Sequence, residues 1–175
     1  VAGLTDIGQF NEYAVAAILW TREVLTDKNK KIIEGLPIAK EMKKNNMLLV
    51  HSTPKEPDAW HYLYTLRDAE INFNFFDEKI CFVGHSHQPA IIERMPSGEM
   101  VVHRDKVDLN ESSRYIINAG SVGQPRDRDP RACYAIMTER HVELVRVEYN
   151  IGLTQRKMRE ADLPLPLIER LERGT

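Results

Sequence analysis

The sequence predicts an α/β fold, because stretches with helical spacing alternate with short apolar runs of strand length. Apolar side chains recur at the spacing of an amphipathic helix across residues 10–25. The runs MLLV at 47–50 and ICFV at 80–83 are apolar throughout and stop at turn residues, as buried strands do. A helix-like stretch at 58–76 lies between these two runs, so the chain has strand-helix-strand order.

The remainder of the chain alternates strands with turns before it ends in helix. Each segment is indicated by its apolar spacing and by the residues that interrupt it. The predicted segments are a mixed stretch at 29–46, a hairpin at 90–104 that turns at 96–98, a strand at 114–118 that enters a glycine loop, a hairpin at 132–150 that turns at 139–140, and one or two helices at 153–174 interrupted at Pro164 and Pro166. No repeat or flexible linker divides them, so we predict a single domain over residues 1–175.

Composition disfavours several classes of protein. The 175 residues carry a net charge of -2 and the 24 basic residues are spread along the chain, which argues against a nucleic acid or an anionic membrane as partner. No apolar segment approaches the roughly 20 residues that cross a bilayer, and the first residues do not resemble a signal peptide, so we expect a cytoplasmic protein. Cys81 and Cys133 lie in apolar runs and are predicted to be buried thiols.

Polar or sharply turning residues follow three of the predicted strands at the points where the strands end. His51 follows LLV, His85 and His87 follow CFVG, and Ala119–Ser121 follow YIIN. In sheets built from strand-helix-strand units, ligands bind beyond the carboxyl ends of the strands. We therefore expect the three strand ends to face a single site.

The two histidines of GHSH have a spacing that suits metal binding. Side chains at positions i and i+2 of an extended chain point to the same side, roughly 6–7 Å apart. This separation is too wide for a nucleophile and its base, but it fits one ligand to each of two ions about 3.5–4 Å apart. We expect Gly84 to allow a tight backbone turn before His85 and His87. The alternative is a pair of polar residues in a solvated turn.

The other three histidines lack this context, because none of them follows an apolar run into a turn. His61 is predicted to lie on a helix, His103 on a strand and His141 at a hairpin turn. We expect all three to be structural or solvated.

Three segments of the chain resemble the motifs of one enzyme family. VGHSHQP at 83–89 looks like a G-H-[TS]-H motif, LLVHSTP at 48–54 resembles a strand followed by H-G-[ST]-P, and INAGSVGQPRDRDPRACYAIM at 117–137 is similar to a segment containing N-P-G-S-V-G-Q-P-R. These motifs are those of the calcineurin-like metallophosphoesterases, in particular the small prokaryotic and diadenosine tetraphosphatase-like members.

The resemblance implies an α/β sandwich of two sheets flanked by helices, and a hydrolase of the phosphatase type. Such an enzyme cleaves a phosphate mono- or diester by attack of a metal-bridging hydroxide. The resemblance also implies two divalent ions, chosen from Mn, Fe, Ni and Zn, with His51 and His85 binding one ion and His87 binding the other. Its substrate classes include phosphorylated small molecules, nucleotides and phosphoproteins.

The loop at 119–131 has two interpretations. In the functional one, which rests mainly on the resemblance, backbone N–H groups around Gly120, Ser121 and Gly123, with Arg126 nearby, hold phosphate oxygens beside the metals. In the other, the glycines serve only a tight turn and the charged residues that follow are solvated.

Three further motifs of the family, D-x-H, G-D and G-N-H, do not occur in this sequence. The chain therefore resembles the C-terminal part of the family's domain without its N-terminal strands, and no catalytic acid is identified in it. Three neutral imidazoles supply no charge to offset two divalent cations, so we expect the 175-residue chain to be weakly active. The alternative function is a non-catalytic metal-binding or protein-interaction module that retains the fold.

Overall fold

The described part of the chain forms two compact units. A computed structural model describes residues 7, 8 and 10–175. One unit contains the described residues up to Pro37 together with Asn150–Arg173, and the other contains Ile38–Tyr149 with Gly174–Thr175. In chain order the elements are α1 (Glu12–Val24), α2 (Asp27–Glu34), β1 (Ala39–Met42), β2 (Met47–Val50), α3 (Leu66–Asn72), β3 (Ile80–Val83), β4 (Ala90–Arg94), β5 (Met100–His103), β6 (Lys106–Asp108), β7 (Arg114–Asn118), β8 (Ala132–Met137), β9 (His141–Val147), α4 (Ile151–Glu160) and α5 (Leu165–Arg173). The single domain over residues 1–175 stays a prediction.

The first unit is helical. α1 occupies most of the predicted stretch 10–25 and begins where Asn11 Oδ1 accepts a hydrogen bond from the Ala14 N–H at 2.9 Å. The end of the chain, predicted to form one or two helices, forms two, α4 and α5. Pro164 precedes α5 as predicted, but Pro166 does not interrupt a helix, because it lies in the first turn of α5, where a missing N–H costs no helical hydrogen bond. Among the described helices, none has the length and apolarity needed to span a membrane.

The second unit contains two sheets. The larger has the strand order β1-β2-β3-β7-β4-β5, and the smaller has the order β6-β9-β8. β2, β3 and β7 are parallel neighbours, whereas all other pairings are antiparallel. α3 lies in the connection between parallel strands β2 and β3, as the strand-helix-strand order predicts. Both predicted hairpins are confirmed, as β4-β5 and β8-β9.

Successive residues of a strand point to opposite faces of the larger sheet, and each face packs against its own apolar core. The strands of this sheet are therefore buried on both faces. One face packs against α3 through Val50, Ala69, Phe73, Cys81, Val83, Ile92 and Ile116. The opposite face packs against the smaller sheet through Ile80, Ile91, Val107, Tyr115, Ile117, Cys133, Val142 and Leu144. The two-sheet sandwich and the two buried thiols are thus confirmed.

The prediction of a helix across 58–76 is wrong in its first half. Trp60 has a left-handed φ of 56°, and the next four residues form no helix. α3 starts only after a capping box in which the side chains of Thr65 and Asp68 each bond the other's backbone N–H. The aromatic residues before this cap have helical spacing but do not form a helix. His61 therefore lies on an irregular segment rather than on a helix.

The other two histidines lie where they were predicted. His103 is the last residue of β5, and His141 opens β9 directly after the hairpin turn. The ring of His141 contacts Thr138 Oγ1 across that turn at 3.1 Å. Both side chains have structural contacts.

Arg114 fastens the end of α3 to the larger sheet. Its guanidinium donates to the carbonyl oxygens of Phe73 at 3.0 Å and Glu78 at 3.1 Å, and also to that of Phe76. The same group lies 4.4 Å from the centre of the Phe76 ring, as a cation over an aromatic face does. One side chain therefore satisfies three carbonyls that follow the helix.

Glu93 is a carboxylate inside the sandwich, with 7% of its surface exposed. Its Oε2 lies 2.9 Å from His103 Nε2, and its Oε1 accepts a hydrogen bond from the Tyr115 hydroxyl at 3.1 Å. That hydroxyl accepts in turn from the Asn110 N–H at 2.8 Å. Burial raises the pKa of Glu93, but the side chains of Ser113, His103 and Tyr115 stabilise the carboxylate and outweigh burial, so that its pKa lies below the ordinary value.

Replacing Arg114 by Met should lower the free energy of unfolding by about 2–3 kcal/mol, because three carbonyls lose a charged donor. Urea denaturation of the purified variant measures this loss. The matched control is Arg67→Met on α3, which removes only an exposed pair with Glu70 and should cost less than about 0.5 kcal/mol. Equal losses in the two variants would contradict the fastening role.

Replacing Glu93 by Gln should destabilise the protein at pH 7 by about 1–3 kcal/mol. Because the folded-state pKa of Glu93 is lowered, its contribution is complete above the unfolded-state pKa and disappears as pH falls through the folded-state pKa. The difference between wild type and variant should therefore shrink below about pH 4. Denaturation curves across this range test it, with Glu99→Gln in the exposed turn of the same hairpin as control. A difference that stays constant with pH would contradict the prediction.

Candidate functional site

The parallel strands β2, β3 and β7 are adjacent, so their carboxyl ends meet at one edge of the larger sheet. His51 leaves β2 at this edge, His85 follows β3 after one residue, and the glycine loop follows β7. The Gly84 N–H donates to the His51 carbonyl at 2.9 Å, and the Ala119 N–H donates to the Val83 carbonyl at 3.4 Å. These bonds extend the pairing beyond the strands and hold the three chain segments side by side.

The structure brings the rings of His51 and His85 into contact. Their centroids are 5.2 Å apart with an angle of 62° between the rings. Burial lowers the pKa of His51, and burial together with the repulsion that a protonated His51 would exert lowers the pKa of His85. Both imidazoles are therefore neutral at pH 7, with a lone pair on one nitrogen of each ring.

The tight turn lies on the histidines and not on Gly84. His85 has a φ of 60°, and the N–H of Ser86 donates back to the carbonyl of Gly84 at 2.6 Å, which closes a γ-turn. His87 also has a left-handed φ, of 57°. A Cβ at position 84 would meet only the His51 carbonyl, at an ordinary 3.5 Å. The expected role of Gly84 is therefore wrong, and His85 and His87 are not related by the alternation of an extended chain.

His87 is held by the loop that follows β7. Its Nδ1 lies 2.7 Å from the Gln124 carbonyl oxygen, and its own carbonyl accepts from the Arg126 N–H at 3.2 Å. Because a carbonyl only accepts, Nδ1 carries the proton and the lone pair of the ring is on Nε2. Backbone contacts of this kind fix the ring orientation of metal-binding histidines.

Asn118 is a buried positioning residue that the sequence analysis did not single out. Its Nδ2 donates to the Gly84 carbonyl at 3.0 Å and to Ser86 Oγ at 2.7 Å, and its Oδ1 accepts from the Gly120 N–H at 2.9 Å. Asn118 is only 4% exposed. The one available signal was a polar residue closing the apolar strand YIIN.

The glycine loop is closely packed and internally bonded. Gly120 has a φ of 75°, and a Cβ there would lie 2.8 Å from Cys133 Cβ, so only glycine fits. Ser121 Oγ accepts from the N–H groups of Gly123 at 3.3 Å and Gln124 at 2.9 Å. The N–H groups of both glycines are thus engaged within the protein, and phosphate binding by this loop stays a prediction.

Arg126 is an arginine of the loop whose charge acts on His85. Its charge contributes to the lowered pKa of His85, after the larger lowering effects of burial, His51 and His87. Two of its nitrogens donate to Gln124 Oε1, at 3.2 and 2.8 Å, which holds the guanidinium in a fixed direction. A fixed guanidinium is suited to anion binding.

Aromatic residues that the sequence analysis placed on a helix border the histidines instead. The Trp60 ring lies 5.3 Å from His51 and 5.7 Å from His85, measured between centroids. Tyr62 stacks on His85 at 4.3 Å with 15° between the rings, and Tyr64 stacks on Tyr62 at 5.1 Å with 13°. The edge of the sheet is therefore both polar and aromatic.

The donor atoms at this edge fit a metal in type but not in number. Residues 7, 8 and 10–175 contain no group of three or more His, Cys, Asp or Glu side chains placed to hold an ion. They supply imidazole nitrogens, from His51 and His85 in contact and from His87 on the same turn. Imidazole suits borderline divalent metals, whereas hard ions need carboxylate oxygens as well.

Asn118→Ala should lower the free energy of unfolding by about 1–3 kcal/mol, because it leaves buried partners on two chain segments without their bonds. Urea denaturation measures the loss. Asn74→Ala is the control, since the exposed Asn74 side chain donates a hydrogen bond to the Glu70 carbonyl oxygen at 3.1 Å within its own chain segment. If both variants lost the same stability, Asn118 would not hold the strand ends together.

Comparisons with known proteins agree with the two-sheet α/β fold. A family model described as a calcineurin-like phosphoesterase superfamily domain matches residues 1–141. An uncharacterised protein of Methanocaldococcus jannaschii is 39% identical over 178 residues, which cover 99% of this chain and 71% of that protein.

Two solved structures are similar to this one. The crystal structure of a metallophosphoesterase from Sphaerobacter thermophilus has 41% sequence identity and a TM-score of 0.83, over 99% of this chain and 72% of that chain. A hypothetical protein of Pyrococcus horikoshii, at 19% identity and a TM-score of 0.74, shares the fold over 95% of this chain and 62% of its own. The resemblance seen in the motifs is confirmed, and the chain belongs to the calcineurin-like phosphoesterase superfamily.

Proposed function

We propose that this chain takes part in the metal-dependent hydrolysis of a phosphate mono- or diester. The observation that carries the proposal is the contact between the His51 and His85 rings at the carboxyl edge of the parallel strands. His87 lies two residues away on a turn held by the glycine loop. Neutral imidazoles at the ligand-binding edge of such a sheet suit Mn, Fe, Ni or Zn.

In this proposal His51, His85 and His87 hold metal and do not move protons. A bound divalent ion would supply Lewis acidity toward the phosphoryl group. The lowered pKa values of His51 and His85 keep their nitrogens unprotonated at pH 7. The bond from His87 Nδ1 to Gln124 directs Nε2 toward a ligand role. No general acid is assigned.

Arg126 binds the phosphate in the same proposal. Its guanidinium is aimed by Gln124 and lies close enough to His85 to influence that ring electrostatically. A guanidinium presents donors that match phosphate oxygens. The backbone of Gly120, Ser121 and Gly123 shapes this loop, and Arg126 provides its positive charge.

A second candidate function is a metal-binding or protein-interaction module without catalysis. The observation that favours it is the shortage of donors, because no carboxylate among the described residues joins the imidazoles in a metal-binding group. Hydrolysis by a two-metal site uses ligands that offset the charge of the ions. Binding of metal without turnover would support this alternative.

His87→Ala should weaken the binding of Mn at least tenfold, because it removes one of three imidazole ligands. Calorimetric titration of the metal into the apo chain measures the affinity. His141→Ala and His61→Ala are the controls, since the His141 ring contacts Thr138 and the His61 ring contacts Glu56, neither of which is a proposed ligand. An equal loss of affinity in His61→Ala would contradict the ligand assignment.

The same variants separate binding from catalysis. Turnover of p-nitrophenyl phosphate with Mn should fall in His87→Ala and be retained in His141→Ala. Metal binding to the wild type without turnover would instead support the non-catalytic module.

A further inference from the structure

The geometry points to a subsite beside the histidines that takes the nucleobase of a nucleoside phosphate. It is formed by the outer part of a ring stack and by the cavity next to Tyr64. This inference rests on the proposed function, because it concerns the group that leaves when the phosphate ester is cleaved.

The ring stack runs outward from the candidate metal site. Tyr62 lies nearly parallel to His85, and Tyr64 lies nearly parallel to Tyr62, with angles of 15° and 13°. Tyr62 is 44% exposed and Tyr64 is 54% exposed. Adjacent exposed rings in one orientation offer a surface on which a further planar ring can stack, as bases do on aromatic side chains.

The cavity next to this stack has a volume of about 230 Å³. This is below the range of about 300–1,000 Å³ typical of pockets for drug-sized ligands, so it suits a single ring system. Its walls include Tyr64, Pro89 and Ile92, which are apolar or aromatic, and Gln88 and Arg104, which carry polar groups. A nucleobase can stack its flat face on the apolar and aromatic walls and form hydrogen bonds from its heteroatoms to the polar groups.

The cavity is connected to the proposed phosphate site through shared residues. Asn118 lines the cavity and also holds the His85 turn through Gly84 and Ser86. The Gln88 amide donates to the Arg126 carbonyl at 3.2 Å. A ligand with a phosphate near Arg126 and a ring in the cavity would therefore contact one continuous surface.

Tyr64 is held in place before any ligand binds. Its N–H donates to Asp68 Oδ2 at 3.1 Å, as part of the cap of α3. The preceding residue, Leu63, is 9% exposed and packs in the core below. A ring presented by a fixed backbone loses little conformational freedom when a base stacks on it.

The test compares substrates with and without a base. Adenosine 5′-monophosphate, p-nitrophenyl phosphate and glycerol phosphate are each assayed with Mn on wild type, Tyr64→Ala, Tyr64→Phe and Tyr134→Ala. In Tyr64→Ala the KM for the nucleotide should rise about tenfold relative to the KM for glycerol phosphate, and Tyr64→Phe should restore most of the ratio. Tyr134 is the control, because it is an exposed tyrosine on β8 of the smaller sheet.

A binding measurement separates this inference from the proposed function. Saturation-transfer NMR with adenosine, phenol and glycerol, in the absence of metal, should show contact with adenosine in wild type and its loss in Tyr64→Ala. Adenosine binding without turnover of any ester would sustain the base subsite and reject hydrolysis. Equal KM changes for nucleotide and glycerol phosphate, or phenol bound as well as adenosine, would overturn the base subsite. Absence of adenosine contact in wild type would also overturn it and favour a protein segment on these rings.

Discussion

The buried side chain of Asn118 holds together two of the three strand ends on which the candidate site is built, those of β3 and β7. Its amide nitrogen bonds the turn after β3, and its oxygen bonds the loop after β7. Parallel pairing alone brings the strands to one edge, but it does not determine how the chain leaves them. The left-handed conformation of His85 is costly for a non-glycine residue and persists because the surrounding bonds enforce it.

The electrostatic character of the site follows from this packing. Burial keeps the imidazoles of His51 and His85 neutral, so they offer lone pairs rather than positive charge. The positive charge comes from Arg126, whose guanidinium is held by the side-chain oxygen of Gln124 in the same loop. The same edge thus combines groups that attract a cation with a group that attracts an anion, and stacked tyrosines extend it toward apolar ligands.

The sequence predicts the parts of the structure that depend on local patterns and misses those that depend on distant partners. Apolar runs identify β2 and β3, and the turn residues identify both hairpins. β6 has only three residues and one buried side chain, which is too little for a recognisable pattern. Asn118 acts through partners 32 and 34 residues away, and the segment before α3 is decided by a cap rather than by aromatic spacing. The distant partners of Asn118 cannot be read from neighbouring letters, whereas the cap of α3 has a local signature, Thr65 followed three residues later by Asp68, which the aromatic spacing obscured.

The position of β7 in the larger sheet has a consequence for how the protein folds. β7 lies between β3, which precedes it by about thirty residues, and the β4-β5 hairpin, which also precedes it. The hairpin can form locally, but it joins β3 only through a strand that is synthesised later. Until residues 114–118 insert, the sheet is two separate pieces, each with an open edge liable to pair with another chain. The candidate site includes residues that follow β3 and residues that follow β7. It is therefore completed only when β7 joins the two pieces of the sheet.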